Sequence, residues 1–261
     1  MRPAATVLQE VRPPFFRSSL WGPLLLSLLA CGGIGYYGHQ VARGLVASVE
    51  SSARADGRAT AHEIVGFIDR EHERLHAFTL EKADAIRSIL SFPDNWPGID
   101  ALQTSLKRMF RGAIAFAVTG ADGRPLFEDF DGLVGPVCEA SMRDYLDVKR
   151  RGEGTFELPP IHPVPDAYHF DLISEWQLED GTTGLFFISM SPSRISELIA
   201  AAEQASGARI LLVSRDEPSL IEVTSAGARD ALGGDFRLEP EQLTPGHYSV
   251  DLPGTHWRLV V

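Results

Sequence analysis

Residues 169–199 read HFDLISEWQLEDGTTGLFFISMSPSRISELI, and this stretch decides the fold. Its first arm, begun at Ala167, carries Tyr168, Phe170, Ile173 and Trp176; its second carries Leu185, Phe186, Phe187 and Ile188. Aromatic and β-branched side chains suit a pleated, half-buried surface, and the Glu-Asp-Gly-Thr between the arms is turn chemistry. The pair reads as a β-hairpin. Pro192 then opens an amphipathic helix, because proline is tolerated in a helix's first turn.

Upstream, AIAFAVT (113–119), a Gly-Ala-Asp-Gly turn and RPLFEDF (124–130) read as another hairpin. Between the two hairpins a short helix is expected over 139–151, with Met142, Tyr145 and Leu146 on one side. TFEL (155–158) and the proline-rich PPIHPVPD (159–166) connect it to the second hairpin. After Gly207 the strand pattern resumes as ARILLVSR, SLIEVTS, HYSVDL and HWRLVV, joined by short polar connections.

From Gln40 to about Phe92 there is no proline, and the glycines are Gly44, Gly57 and Gly66. Ile64, Ile68, Leu75, Phe78, Ile86 and Ile89 recur at steps that share one helical face. This predicts a long helix ended by Pro93 and the turn residues after it. Ahead of it, SLWGPLLLSLLACGGIGYYG (19–38) carries no charge and has aromatic residues near both ends. Its length is close to the roughly 20 residues that span a bilayer, so a transmembrane helix is expected there. Arg2, Arg12 and Arg17 against Glu10 place the N-terminus on the cytoplasmic side and the remainder outside. A cleaved signal peptide fits less well, since the apolar run continues past any cleavage point. A lipoprotein signal around Leu28-Leu-Ala-Cys31 is the other rival, with an atypical second position.

The chain has 261 residues and a formal charge of −11, which argues against a nucleic-acid partner. Cys31 and Cys138 form no disulfide framework, and neither lies near a histidine at zinc-ligand spacing.

The order of anchor, long helix and two hairpins flanking a helix resembles the Cache type of extracytoplasmic sensor domain, a PAS-like fold. AFAVTGADGRPLF (115–127) is similar to the family's first hairpin, 169–199 to its closing hairpin and exit helix, and LPGTHWRLVV (252–261) to its last strand. The resemblance covers about 40–261 and is closest to input regions of bacterial cyclic-di-GMP enzymes and histidine kinases. It implies an α+β fold: one transmembrane helix, a long stalk helix, a PAS-like antiparallel sheet, then a smaller strand-rich subdomain. The implied domains are a cytoplasmic segment 1–18, a transmembrane helix 19–38, a stalk 39–92, a sensor domain 93–191, and a linking helix with a membrane-proximal subdomain 192–261. It also implies a ligand-sensing region of a signal-transduction protein at the inner membrane, with residues after 38 in the periplasm. The partners expected are a small molecule or periplasmic protein, the membrane, and a second copy through the stalk. No output domain is expected within this sequence, and its last residues, Arg-Leu-Val-Val, are strand-like, which suggests a receptor that continues beyond them. The amino-acid-binding motif of double Cache receptors cannot be laid onto it.

In such folds the ligand lies between the sheet and the segments that join helix to sheet. That points to Tyr145, His162, Tyr168, Phe170, Asp171 and Phe187. Asp171 is the most pointed, because a carboxylate between Phe170 and Leu172 is costly to bury without a partner. HERLH (72–76) matches H-E-x-x-H, in which two histidines on one helical face bind zinc and the glutamate activates water. Arg74 inside the motif, the charged residues around it and the missing third ligand favour a stalk surface. The alternatives are a membrane-tethered zinc hydrolase using His72, Glu73 and His76, or a structural module with no ligand. There is no G-x-S-x-G elbow or phosphate-binding glycine loop, and Gly233-Gly234-Asp235-Phe236 reads as a turn. No enzyme activity, resident metal or cofactor is expected.

Overall fold

The computed structural model describes residues 21–92, 95–128, 134–152, 157, 162–164, 167–178, 181–229, 237–238 and 248–261. The expected cytoplasmic segment 1–18, the first two residues of the expected span, most of TFEL and the 233–236 turn lie outside these residues. The chain divides into two units, Met1–Ser51 and Ser52–Val261.

In the first unit, helix α1 (Trp21–Glu81) begins and leaves Leu25, Leu26, Leu28, Leu29, Ile34, Tyr36 and Tyr37 exposed. The expected span at 19–38 is not confirmed by the described part of the helix. Among the described residues no helix is long and apolar enough to cross a membrane.

In the second unit α1 continues to Glu81, and Lys82 separates it from α2 (Ala83–Ser91). The stalk is thus one helix with the segment before it, broken at Lys82, rather than a single element over 39–92. Its predicted face is correct: Ile64, Ile68, Leu75, Phe78, Ile86 and Ile89 are all buried. Sequence reading passed over α3 (Trp96–Met109). Asn95 caps it by accepting from the Gly98 N–H at 3.1 Å, Pro97 sits in its first turn, and Ile99, Leu102 and Leu106 are buried.

The first sheet comprises β1 (Ala113–Thr119), β2 (Pro125–Glu128), β3 (His162–Val164), β4 (Ala167–Gln177) and β5 (Thr183–Met190), in the order β2-β1-β5-β4-β3. Every pairing is antiparallel. Both predicted hairpins are present, and their turns use Gly123 and Gly181 at φ 77 and 79, a region that favours glycine. Helix α4 (Pro136–Arg151) joins β2 to β3; Pro136 opens it, Lys149, Arg150 and Arg151 fill its last turn, and Gly152 ends it.

Helix α5 (Ser193–Ser206) leads to a second antiparallel sheet of β6 (Leu211–Ser214), β7 (Ile221–Thr224), β8 (Gly227–Ala228), β9 (Ser249–Asp251) and β10 (Trp257–Val260). Its order is β8-β7-β6-β10-β9. The two sheets share a connection rule: the first strand lies between its hairpin partner and the last strand. Among the described residues the expected smaller subdomain has as many strands as the first sheet and lacks the long strands that β1, β4 and β5 supply there.

The core is aromatic. Phe78 of α1 meets Phe110 and Phe186 edge-on, and Phe186 stacks on Phe116. Phe170 of β4 meets Trp257 of β10 edge-on at 5.7 Å, joining the two sheets. Each such buried ring contributes about 1.5–3 kcal/mol relative to exposure.

Candidate functional site

Alternation along β4 separates two kinds of side chain. Phe170, Leu172 and Trp176 join the core beneath α1. His169, Asp171, Ile173 and Glu175 fall on the opposite face of the strand, as a period of two requires. There Ile173 packs with Cys138, Met142 and Leu146 of α4 and with Leu185 and Phe187 of β5.

Within that layer lies a polar cluster. His169 and Asp171 are fully buried, and Cys138 is nearly so. His169 Nε2 lies 3.6 Å from Cys138 Sγ and 3.4 Å from Asp171 Oδ1. Ser189 Oγ donates to the same carboxylate oxygen at 3.0 Å. The donor atoms of Cys138, His169 and Asp171 all fall within 4.8 Å of one another.

Further along β4 is a cleft of about 410 Å3, lined by His72, Glu73, His76, Tyr145, Ser174 and Glu175. His72 Nε2 lies 2.8 Å from the Ile173 carbonyl, and His76 Nδ1 lies 3.3 Å from Ser174 Oγ. Each histidine of HERLH makes one contact with the sheet, while His72, Glu73, Arg74 and His76 stay largely exposed, in keeping with the expected stalk surface. Among the described residues no third metal donor joins them. Tyr145 Oη donates to Glu175 Oε1 at 2.8 Å, and Lys149 Nζ contacts that oxygen too. Partial burial opposes ionisation of Glu175, but hydrogen bonds from Lys149 and Tyr145 and the charge of Lys149 outweigh it, leaving its pKa below the usual value. Burial and the Glu175 carboxylate push Tyr145 upward, so it stays a neutral donor.

On the other side of α1 lies a larger cleft, about 860 Å3. Phe67, Arg70, Glu71 and Arg74 supply one wall, and Arg108, Arg111 and Arg194 lie across from them. Arg74 pairs with Glu71 at 2.7 Å, and Arg194 with Glu197 at 2.6 Å. Arg70, Arg108 and Arg111 have no carboxylate within salt-bridge distance among the described residues. Like charges gathered without counter-charges repel, and an anion relieves that repulsion. The basic cleft stands out on a chain of net charge −11.

The residues expected from sequence fall at several places in the fold. Tyr145 lines the smaller cleft, and Asp171 lies in the buried cluster. His162 sits in β3 at the register position opposite His169. Phe170 is core against Trp257, and Phe187 packs under α4. Tyr168 is half-buried beneath the Arg229 guanidinium, 4.7 Å from its ring centre. Sequence reading missed Cys138, His169, Glu175 and the arginine cleft. The alternation that marked Asp171 also puts His169 and Glu175 on its face, whereas Cys138 is brought near only by the docking of α4.

No protein-family model matches the chain, and no curated protein matches it. Among solved structures the chain is similar to the ligand-binding domain of the Pseudomonas aeruginosa PAO1 amino-acid chemoreceptor PctC in complex with GABA. The identity is 14% over 82% of this chain and 98% of that one, with a TM-score of 0.48. It is similar to the ligand-binding domain of the Pseudomonas fluorescens chemoreceptor CtaA in complex with L-isoleucine, at 15% identity, 84% and 93% coverage and a TM-score of 0.45. A domain of a putative sensory box/GGDEF family protein from Vibrio parahaemolyticus is also similar, at 13% identity, 78% and 96% coverage and a TM-score of 0.43. These are likenesses of fold at low identity and low score.

Proposed function

We propose that this chain is the extracytoplasmic ligand-sensing region of a bacterial signal-transduction protein, not an enzyme, attached to the inner membrane through the apolar start of α1. One observation carries the reading: residues 67–76 of α1 stand between two clefts, with Phe67, Arg70, Glu71 and Arg74 facing one and His72, Glu73 and His76 the other. A ligand in either cleft contacts α1 directly and favours the helix position that fits it, which is what transmission along a stalk requires. The exposed leucines and tyrosines at the start of α1 support burial in lipid, and pairing of two such helices makes a homodimer the working unit.

The ligand is a small anion, a carboxylate or phosphate compound, held in the basic cleft by Arg70, Arg108 and Arg111. A ligand present at 100 times its Kd stabilises the fold by about 2.7 kcal/mol. A thermal-shift screen of the detergent-purified full chain against carboxylates, amino acids and phosphates tests this. A rise in melting temperature with an anion, lost when Arg108→Ala and Arg111→Ala are combined and kept in Tyr145→Phe, is expected. A rise that survives the double substitution overturns the basic-cleft assignment. If Tyr145→Phe abolishes it instead, the ligand belongs in the Tyr145–Glu175 cleft, beside the site the sequence pointed to.

A further inference from the structure

The Cys138–His169–Asp171 cluster gathers three metal-ligating donor atoms within 4.8 Å of one another. A proton on His169 Nε2 points along one direction, yet that nitrogen faces both Cys138 Sγ at 3.6 Å and Asp171 Oδ1 at 3.4 Å. The second distance is long for an N–H···O bond, which centres on about 2.9–3.0 Å. A tetrahedral zinc ion accounts for both. With Zn–S near 2.3 Å and Zn–N and Zn–O near 2.0–2.2 Å, sulfur and nitrogen sit about 3.6 Å apart and nitrogen and oxygen about 3.4 Å apart. The two observed distances match the sulfur–nitrogen and nitrogen–oxygen separations such an ion would set.

We propose that Cys138 Sγ, His169 Nε2 and the Asp171 carboxylate form a buried site for a zinc-class divalent cation that clips α4 to β4. The donor set selects the metal class. A thiolate beside an imidazole suits zinc and its neighbours, whereas magnesium and calcium take oxygen donors. The site also explains why a carboxylate is placed where nothing of it is exposed, since a coordinated cation offsets the cost of burying that charge. Ser189 Oγ, donating to Asp171 Oδ1, fixes the orientation of the carboxylate as outer partners of metal ligands do. Three protein donors leave the fourth corner of the tetrahedron to a donor outside this set. The site is separate from HERLH, whose histidines engage Ile173 and Ser174, and it does not depend on the sensor reading.

The test uses the full chain, purified in detergent from zinc-supplemented cells, with metal content measured after dialysis. Near-stoichiometric zinc is expected, retained in His76→Ala and lost in Cys138→Ser and in Asp171→Asn. Replacing zinc with cobalt(II) should give a thiolate-to-cobalt charge-transfer band in the near ultraviolet. That spectrum needs no variant, so misfolding of a substituted chain does not shield the proposal. Folded wild-type protein that takes up neither metal overturns it. So does bound cobalt without the thiolate band, or zinc lost in His76→Ala but kept in folded Cys138→Ser.

Discussion

The two faces of the first sheet are built on different rules. The face beneath α1 is filled with rings and branched chains: Phe116, Phe170, Leu172, Trp176, Phe186 and Ile188 against Phe78 and Phe110. The face beneath α4 has a smaller apolar cluster and holds His169, Asp171 and Ser189, all buried. A buried polar group costs stability unless it is satisfied, so the α4 face gives up part of what the α1 face gains. One face is apolar throughout its centre, and the other holds the buried polar cluster. The residues that alternate along β4 belong to both.

The contrast yields a graded set of expected effects. Phe186→Ala, on the apolar face, should cost about 3–5 kcal/mol, because it removes a ring that touches Phe78 and Phe116 and leaves a cavity. Denaturant unfolding measures it; a loss no larger than that of Ser189→Ala would erase the difference between the faces. Gly184→Ala should come next, at about 1–3 kcal/mol by overpacking. An added Cβ there would lie 2.3 Å from the Thr119 carbonyl oxygen and 2.7 Å from Trp176 Nε1. The same unfolding assay should show it, together with altered Trp176 fluorescence.

On the polar face, Ser189→Ala removes a donor to Asp171 Oδ1 and should cost on the order of 1–2 kcal/mol. If the metal site is correct, this variant should also bind zinc more weakly, which a purely structural serine would not do. The smallest effect concerns Tyr145→Phe and shows in the pH dependence of stability. The Glu175 pKa is lowered in the folded state, so its contribution is present above the unfolded value of about 4.3 and is lost as pH falls through the folded value. Removing the Tyr145 donor raises the folded value toward the ordinary one. The gap in stability between wild type and Tyr145→Phe should therefore be full at neutral pH and shrink under acid. A gap that stays constant down to pH 3 would detach Glu175 from Tyr145.

Much of the architecture was legible because it rests on local signals. The period of Ile64, Ile68, Leu75 and Phe78 marked α1, and the glycine turns marked both hairpins. The apolar runs after Gly207, set off by short polar connections, marked the strands of the second sheet. Helix α3 was passed over although Asn95, Pro97 and the Ile99-Leu102-Leu106 spacing announce it, because the proline-containing turn before it was read only as a stop. The anchor was read from the absence of charge and the aromatic residues near its ends, and the start of that stretch lies outside the described residues.

The site was legible in part. Asp171 drew notice as a carboxylate among apolar neighbours. Its partners did not, because Cys138 is 31 residues from His169 and only the packing of α4 on β4 joins them. HERLH gave the opposite lesson. Its spacing is local and specific, yet its histidines meet a carbonyl and a hydroxyl of β4. The arginine cleft draws on α1, α3, the turn after α3 and α5, so no single window of sequence contains it.

The central claim is that α1 reports the occupancy of the clefts on either side of it. Hydrogen–deuterium exchange of the full chain, with and without an anion that raises its melting temperature, tests this most directly. The account predicts that added protection includes residues 67–76 of α1, and that Arg108→Ala combined with Arg111→Ala removes it. Protection confined to the second sheet, with 67–76 exchanging as before, would contradict the account.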